Sequence, residues 1–174
     1  MWDNIYRTAY WDVVHSYNTA LPGWLVLVAR RHIEAVAQLS QAESIELGLL
    51  ISATSQALEQ VTYCIKTYVI QFAEAAEHPH VHVHIVPRMA DQPDQRRGPK
   101  IFGYLNVAES ERVPDDEMDR IAMQVRAMLL TLHPVKSEDA ASEYVTRPYD
   151  HDCTQHNTMG FLACLPAQPD SDRS

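Results

Sequence analysis

The most constraining feature of this sequence is the run HVHVHIVPR at positions 80–88, in which histidine alternates with an apolar residue three times. Strict alternation predicts a β-strand, because successive side chains leave a strand on opposite faces. One face then carries Val81, Val83 and Ile85 toward a core. The other face carries three imidazoles in a row, with neighbours about 6.5–7 Å apart from the rise of a strand. Since a solvent-facing strand normally carries Thr, Lys or Glu, the row indicates a functional site.

The rest of the chain has strand-like and helical patterns. Strands are predicted at residues 10–16, 24–30, 67–72, 80–86 and 101–107. A long helix is predicted at about 41–64, because Ser40 and Glu43 form a capping box ahead of an apolar face with helical spacing. A second helix is predicted to start at Pro114, which precedes three acidic residues. Too few helices alternate with strands for a parallel sheet, so we expect an α+β fold with a mainly antiparallel sheet.

The periodic pattern is lost after Pro134. Residues 135–174 are polar apart from GFLACLP at 160–166. We therefore expect one folded domain over residues 1–134, followed by a C-terminal extension that is partly disordered. The extension contains four residues that could bind a metal, but their spacing matches no standard zinc pattern: His151, Cys153, His156 and Cys164.

Composition argues against several classes of function. The formal net charge of −9 disfavours binding to a nucleic acid polymer, whose phosphates require a basic footprint. We expect no membrane span, because no apolar run approaches the roughly 20 residues that one requires. The start of the chain lacks the pattern of a secretory signal. Three widely spaced cysteines argue against a disulfide scaffold and for a reducing cytoplasm. The chain has five glycines and no Gly-rich phosphate-binding motif.

From the residues alone, the histidine row has three interpretations. The imidazoles can simply face water. Two of them can share a zinc ion, with a third ligand drawn from several candidates: His15, His32, Glu77 or Asp91. A neutral imidazole can also attack phosphorus if its other nitrogen is held by an acceptor, while its neighbours orient it or donate to the phosphate oxygens. The last interpretation gives each histidine a role without a metal.

HVHVHIV at 80–86 is similar to the signature of the histidine triad (HIT) family, in which three histidines alternate with apolar residues. LPGWLVLVARRH at 21–32 resembles the strand that precedes the long helix in that family. RGPKIF at 97–102 resembles a segment of members that act on nucleoside polyphosphates. The resemblance covers about residues 8–130. It implies a HIT-like antiparallel five-stranded sheet with one long and one C-terminal helix, no cofactor, and a homodimer whose two sheets join.

The same resemblance implies a small-molecule nucleotide substrate, namely a nucleoside polyphosphate, a dinucleoside polyphosphate or a nucleotide amidate. His82 would attack the α-phosphorus and form a covalent nucleotidyl-histidine, which water or another acceptor then releases. His84 would contact the phosphate under attack, and His80 would orient the nucleophile. Further residues stand where the family binds its substrate: Ser16, Asn18, Trp24, Gln71, Glu77, Arg97 and Lys100.

Departures from the family pattern keep other functions open. Trp24 replaces a histidine that usually assists the phosphate or the leaving group, and it is either a base-stacking platform or core. Glu77 lies in a loop where the family has small donors, and a carboxylate beside phosphate is unfavourable unless it holds a ribose hydroxyl or a base amine. Arg97 and Lys100 are either phosphate contacts or part of a solvated loop. One alternative is a nucleotide-binding protein with weak or no activity. The other is a metal-dependent hydrolase with the histidine row as ligands.

Overall fold

The structure, a computed structural model, describes residues 1–74 and 79–133. The expected extension at 135–174 and Glu77 lie outside the described residues. The strands are β1 (Tyr6–Arg7), β2 (Trp11–His15), β3 (Leu25–Ala29), β4 (Lys66–Ile70) and β5 (His82–Arg88). They form one antiparallel sheet in the order β1-β2-β3-β5-β4. The helices are α1 (Gln41–Thr62) and α2 (Asp115–Leu132). The α+β fold class with a five-stranded antiparallel sheet is therefore confirmed.

Both helices begin where the sequence predicts. The Ser40 hydroxyl accepts a hydrogen bond from the backbone N–H of Glu43, and the Glu43 carboxylate accepts one from the backbone N–H of Ser40, which is the expected capping box. Glu43 is buried and also pairs with Arg31 at 2.8 Å. The Arg31 guanidinium lowers the pKa of Glu43 to about 2. α2 begins directly after Pro114, with three carboxylates in its first turn.

One face of the sheet packs against the two helices. Val81, Val83 and Ile85 lie in this core, as predicted from the alternation. Their helical partners in the same cluster are Leu50, Ala53, Ala57, Leu58, Ile121, Ala122, Val125 and Leu129. The three histidines are consequently directed to the other face of the sheet.

The other face of the sheet is covered by a short 3-10 helix, Gly98–Tyr104. Ile101 of this helix and Leu105, the residue after it, pack with Val26 and Val86 of the sheet. The predicted strand at 101–107 is therefore wrong, and a single isolated bridge from Thr19 to Leu105 is the pairing seen there. Further 3-10 helices are Val36–Gln38, Asp94–Arg96 and Glu109–Glu111.

The fifth strand is instead β1, which pairs with β2 through Tyr6 and Arg7. Its two residues are too few to give a periodic pattern. In the described part of the chain, no helix is long and apolar enough to cross a membrane.

Candidate active site

β5 and the residues just before it carry the histidine row on the sheet face opposite α1 and α2. His82 and His84 stand opposite Val28 and Val26 of the antiparallel β3. All three histidines of the row are buried. The rings of His82 and His84 meet edge to face, with centroids 4.9 Å apart. The structure thus brings the three predicted catalytic residues together.

His82 is held in one tautomer by the backbone. Its Nδ1 lies 2.9 Å from the carbonyl oxygen of His80. Because a carbonyl only accepts hydrogen bonds, Nδ1 carries the proton and Nε2 carries the lone pair. Burial lowers the pKa of His82 below 6.5, although the bond to the carbonyl opposes this effect. The ring is therefore neutral at pH 7, with an unprotonated nitrogen available as a nucleophile.

His84 is held in the opposite tautomer by Trp24. The indole N–H of Trp24 donates to Nδ1 of His84 at 3.0 Å, and the two rings are perpendicular. An indole can only donate, so Nδ1 of His84 carries no proton and Nε2 carries the single proton of the neutral ring. Burial, with a smaller effect of His82, lowers the pKa of His84 to about 3. His84 is thus a fixed neutral donor.

His80 uses both ring nitrogens within the protein. Its Nε2 lies 2.6 Å from the carbonyl oxygen of Ala29, and its Nδ1 lies 3.3 Å from Nδ1 of His32. The rings of His80 and His32 are stacked, with centroids 5.3 Å apart. His32 also lies 3.8 Å from the carboxylate of Glu34. This placement fits a residue that orients the row, since neither nitrogen of His80 is turned toward open space.

An aromatic pair that sequence reasoning missed borders the row. Phe102 of the 3-10 helix packs against Trp24 and His84, with ring centroids 5.9 and 6.1 Å away. Phe72, just after β4, packs against Phe102 at 5.5 Å and is half exposed. The only signal for this pair in the sequence was the resemblance of RGPKIF to a segment of HIT family members. That resemblance does not indicate where the side chain of Phe102 lies.

Two of the predicted substrate-binding residues, Ser16 and Asn18, follow β2 and are buried. The backbone N–H of Ser16 donates to the carbonyl of Trp24 at 2.8 Å. The amide of Asn18 donates to Oδ1 of Asn106 at 2.6 Å. Within the described residues, neither the Ser16 hydroxyl nor Oδ1 of Asn18 has a hydrogen-bond partner. These two oxygens therefore retain hydrogen-bonding capacity for a ligand.

Three further predicted binding residues lie on the segments that follow β4 and β5. Gln71 is partly exposed after β4, and Lys100 is exposed on the 3-10 helix. Arg97 is tied into its own loop, because it pairs with Asp94 and donates to the carbonyl of Gln92. Gln92, which sequence reasoning missed, is buried and organises this loop through bonds to Met89 and Arg96.

Trp24 is fully enclosed, which favours its interpretation as core over that of a base-stacking platform. Over residues 1–74 and 79–133, no three His, Cys, Asp or Glu side chains are arranged to hold a metal ion. The possible zinc ligands of the C-terminal extension lie outside those ranges.

Comparison with known proteins gives both a family and a fold. The model of the HIT domain family matches residues 3–91. A histidine triad protein from Bradyrhizobium japonicum is 23% identical, with a TM-score of 0.60 over 72% of this chain and 88% of that one. A HIT protein from Sinorhizobium meliloti is 20% identical, with the same TM-score and coverage.

A hypothetical histidine triad nucleotide-binding protein from Sulfolobus tokodaii is 13% identical, with a TM-score of 0.57 over 75% of this chain and 85% of that one. Among curated proteins, none matches the sequence significantly. At these identities the solved structures establish the fold, and the match to the family model establishes the relationship.

Proposed function

The chain belongs to the HIT family, and from that premise we propose that it is a nucleotide hydrolase or nucleotidyl transferase with His82 as its nucleophile. The observation that carries the proposal is the hydrogen bond from Nδ1 of His82 to the His80 carbonyl, which leaves Nε2 unprotonated in a neutral ring. Nucleotide binding in this fold is consistent with the name of the Sulfolobus tokodaii protein. The proposed substrates are a nucleoside polyphosphate, a dinucleoside polyphosphate or a nucleotide amidate.

In the proposed reaction, Nε2 of His82 attacks the α-phosphorus and forms an N–P bond. The bond from phosphorus to the leaving group breaks, and its electron pair departs with that group. The imidazole becomes positively charged, and the His80 carbonyl that accepts its Nδ1–H stabilises this charge. The Nε2–H of His84 donates to a phosphoryl oxygen as negative charge develops there.

A second displacement completes turnover. Water attacks the phosphorus, the N–P bond breaks, and the electron pair returns to Nε2 of His82. The proton lost by water passes to solvent, and the nucleoside monophosphate is released. In a transferase the acceptor hydroxyl or amine takes the place of water.

We assign binding of the nucleoside to groups that border the row. The base packs against Phe72, which is half exposed, and the partly buried Phe102, since aromatic faces stack on bases without strong sequence preference. The ribose hydroxyls bond to the unpartnered oxygens of Ser16 and Asn18. Lys100 is the candidate contact for outer phosphates, because Arg97 is already paired with Asp94.

The central test is the substitution His82→Asn. The asparagine amide retains a donor for the His80 carbonyl but supplies no nucleophilic nitrogen. We expect kcat to fall by about a thousandfold or more, as for removal of other nucleophiles. Mass spectrometry of acid-quenched wild-type protein should detect a nucleotidyl-histidine on His82, and the variant should lack it.

His133→Asn, at the end of α2 and on the opposite side of the sheet, is the matched control and should retain wild-type activity. A folded His82→Asn protein that keeps most of its activity would exclude His82 as the nucleophile. Stabilisation of the wild-type protein by nucleotides, without product or adduct, would favour the alternative of a nucleotide-binding protein.

A further inference from the structure

Trp24 and His84 form a closed pair beneath the proposed site of phosphoryl transfer. The indole N–H to Nδ1 distance is 3.0 Å, and both side chains are buried. Phe102 packs against both rings from the covering 3-10 helix. These contacts prevent His84 from rotating to expose Nδ1. A second proton on that nitrogen would point directly at the proton of the indole N–H.

We propose that Trp24 selects the leaving group by confining His84 to its neutral, Nε2-protonated form. On this inference, which rests on the proposed function, the substrates are phosphoric anhydrides of a nucleotide, and phosphoramidates are poor substrates. Trp24 acts as a positioning residue, since it reaches the substrate only through His84.

The two classes of substrate differ in whether their leaving group needs a proton. When an anhydride is cleaved, the P–O bond breaks and its electron pair remains on a phosphate oxygen, which is a stable anion without a proton. When an amidate is cleaved, the P–N bond breaks and the pair remains on nitrogen, which leaves only if a proton is delivered to it. An amidate therefore needs a general acid, and an anhydride does not.

Among the described residues, the aromatic rings in contact with His84 do not supply that acid. Among its ring contacts, Trp24 and Phe102 have no ionisable group. The remaining contact, His82, directs its one proton to the His80 carbonyl. Nδ1 of His84 already accepts from the indole, so His84 holds a single proton, and burial keeps its pKa near 3. An imidazole in place of Trp24 could accept as well as donate, which would permit a doubly protonated His84.

The first experiment compares two substrates of one nucleoside: an adenosine 5′-polyphosphate and an adenosine 5′-phosphoramidate. Because a general acid contributes about 10²- to 10⁴-fold, we expect wild-type kcat/KM to favour the anhydride by at least about 100-fold. Trp24→His should raise the amidate rate and narrow this ratio by about tenfold or more. Trp24→Phe, which removes the donor without adding an acceptor, should lower kcat for the anhydride and leave the amidate slow.

The second experiment observes His84 directly. Nitrogen-15 NMR of the wild-type protein at pH 7 should show His84 neutral with its proton on Nε2. The Trp24→Phe protein should lose this preference for one tautomer. The two wild-type measurements do not require any variant to fold.

Two results would overturn this inference and leave the proposed function intact. One is equal or faster cleavage of the amidate by the wild-type protein, and the other is a wild-type His84 protonated on Nδ1. Failure of the proposed function looks different. In that case the wild-type protein would cleave neither compound and would form no adduct on His82, and the selection by Trp24 would fall with it.

Discussion

At the scale of single residues, folding buries histidines, and for His15 the effect of burial on the pKa outweighs that of the Ser16 carbonyl and the Glu117 carboxylate. Nδ1 of His15 lies 2.7 Å from the carbonyl of Ser16, and its Nε2 accepts from the backbone N–H of Gly23 at 2.9 Å. Burial lowers the pKa of His15 to about 4 and that of His84 to about 3. Both are therefore neutral in the folded protein, but they titrate near 6.5 once the chain unfolds.

This difference in pKa between the folded and unfolded states predicts that acid lowers the free energy of unfolding even at pH values above those at which carboxylates titrate. Between pH 6.5 and pH 4 the unfolded state binds more protons than the folded state, so the free energy of unfolding falls as pH decreases. Each group contributes about 1.4 kcal/mol per pH unit, or roughly 2.7 for His15 and His84 together. Urea unfolding at pH 7, 6 and 5 measures the slope.

A His15→Gln variant is the matched control, and its slope between pH 6 and pH 5 should be smaller than that of the wild-type protein by about 1.4 kcal/mol per pH unit. The lowered pKa values of His80 and His82 act in the same direction. Glu43 contributes only when pH falls below its unfolded value of 4.5, because its pKa is lowered by Arg31. An unfolding free energy that is constant from pH 7 to pH 5 would contradict the prediction.

At the scale of elements, local signals were sufficient for the two helices and for β5. The signals are the capping box at Ser40, Pro114 with the acids in the first turn of α2, and the alternation of β5. Each lies within the element it defines or directly beside it. The 3-10 helix Gly98–Tyr104 has no such signal, since IFGYLNV is an apolar run that suits several structures. Its form depends on Gly98 at φ +57°, on the missing N–H of Pro99 and on the Tyr68 hydroxyl that accepts from Gly98.

The same distinction applies to the candidate site. The three histidines belong to one strand pattern, so the sequence alone predicted that they stand together. The Trp24–His84 bond joins residues 60 positions apart, and the Phe72–Phe102 contact joins two different elements. Such contacts follow from the antiparallel pairing of β3 with β5 and from the covering 3-10 helix, which no local pattern encodes.

The covering 3-10 helix should be held on the sheet mainly by Ile101. This side chain is fully buried among Val26, Val86 and Trp24. Ile101→Ala should lower the free energy of unfolding by about 2–5 kcal/mol, since it leaves a cavity between the segment and the sheet. Ile45→Ala is the matched control, because Ile45 is 57% exposed on α1, and it should change stability by less than about 0.5 kcal/mol. Equal effects in urea unfolding would show that Ile101 does not hold the segment.

At the scale of the whole molecule, the sheet ends at an edge strand, β4, that no other strand of the described residues covers. Large apolar side chains are exposed on β4 and on the segments that flank it: Tyr63, Ile65, Val69 and Phe72. An apolar edge strand of this kind is a site for pairing with another chain, and soluble proteins rarely leave one uncovered.

We propose that β4 pairs with β4 of a second copy, as expected from the resemblance to HIT homodimers, because a two-fold axis lets one edge complete the other. Light scattering at micromolar concentration should then give about twice the chain mass of 19.8 kDa. Val69→Lys places a charge at the centre of this edge and should yield a folded monomer. Met123→Lys, on the exposed face of α2, is the matched control and should remain dimeric. A wild-type monomer, or a Val69→Lys protein that still dimerises, would exclude pairing through this edge.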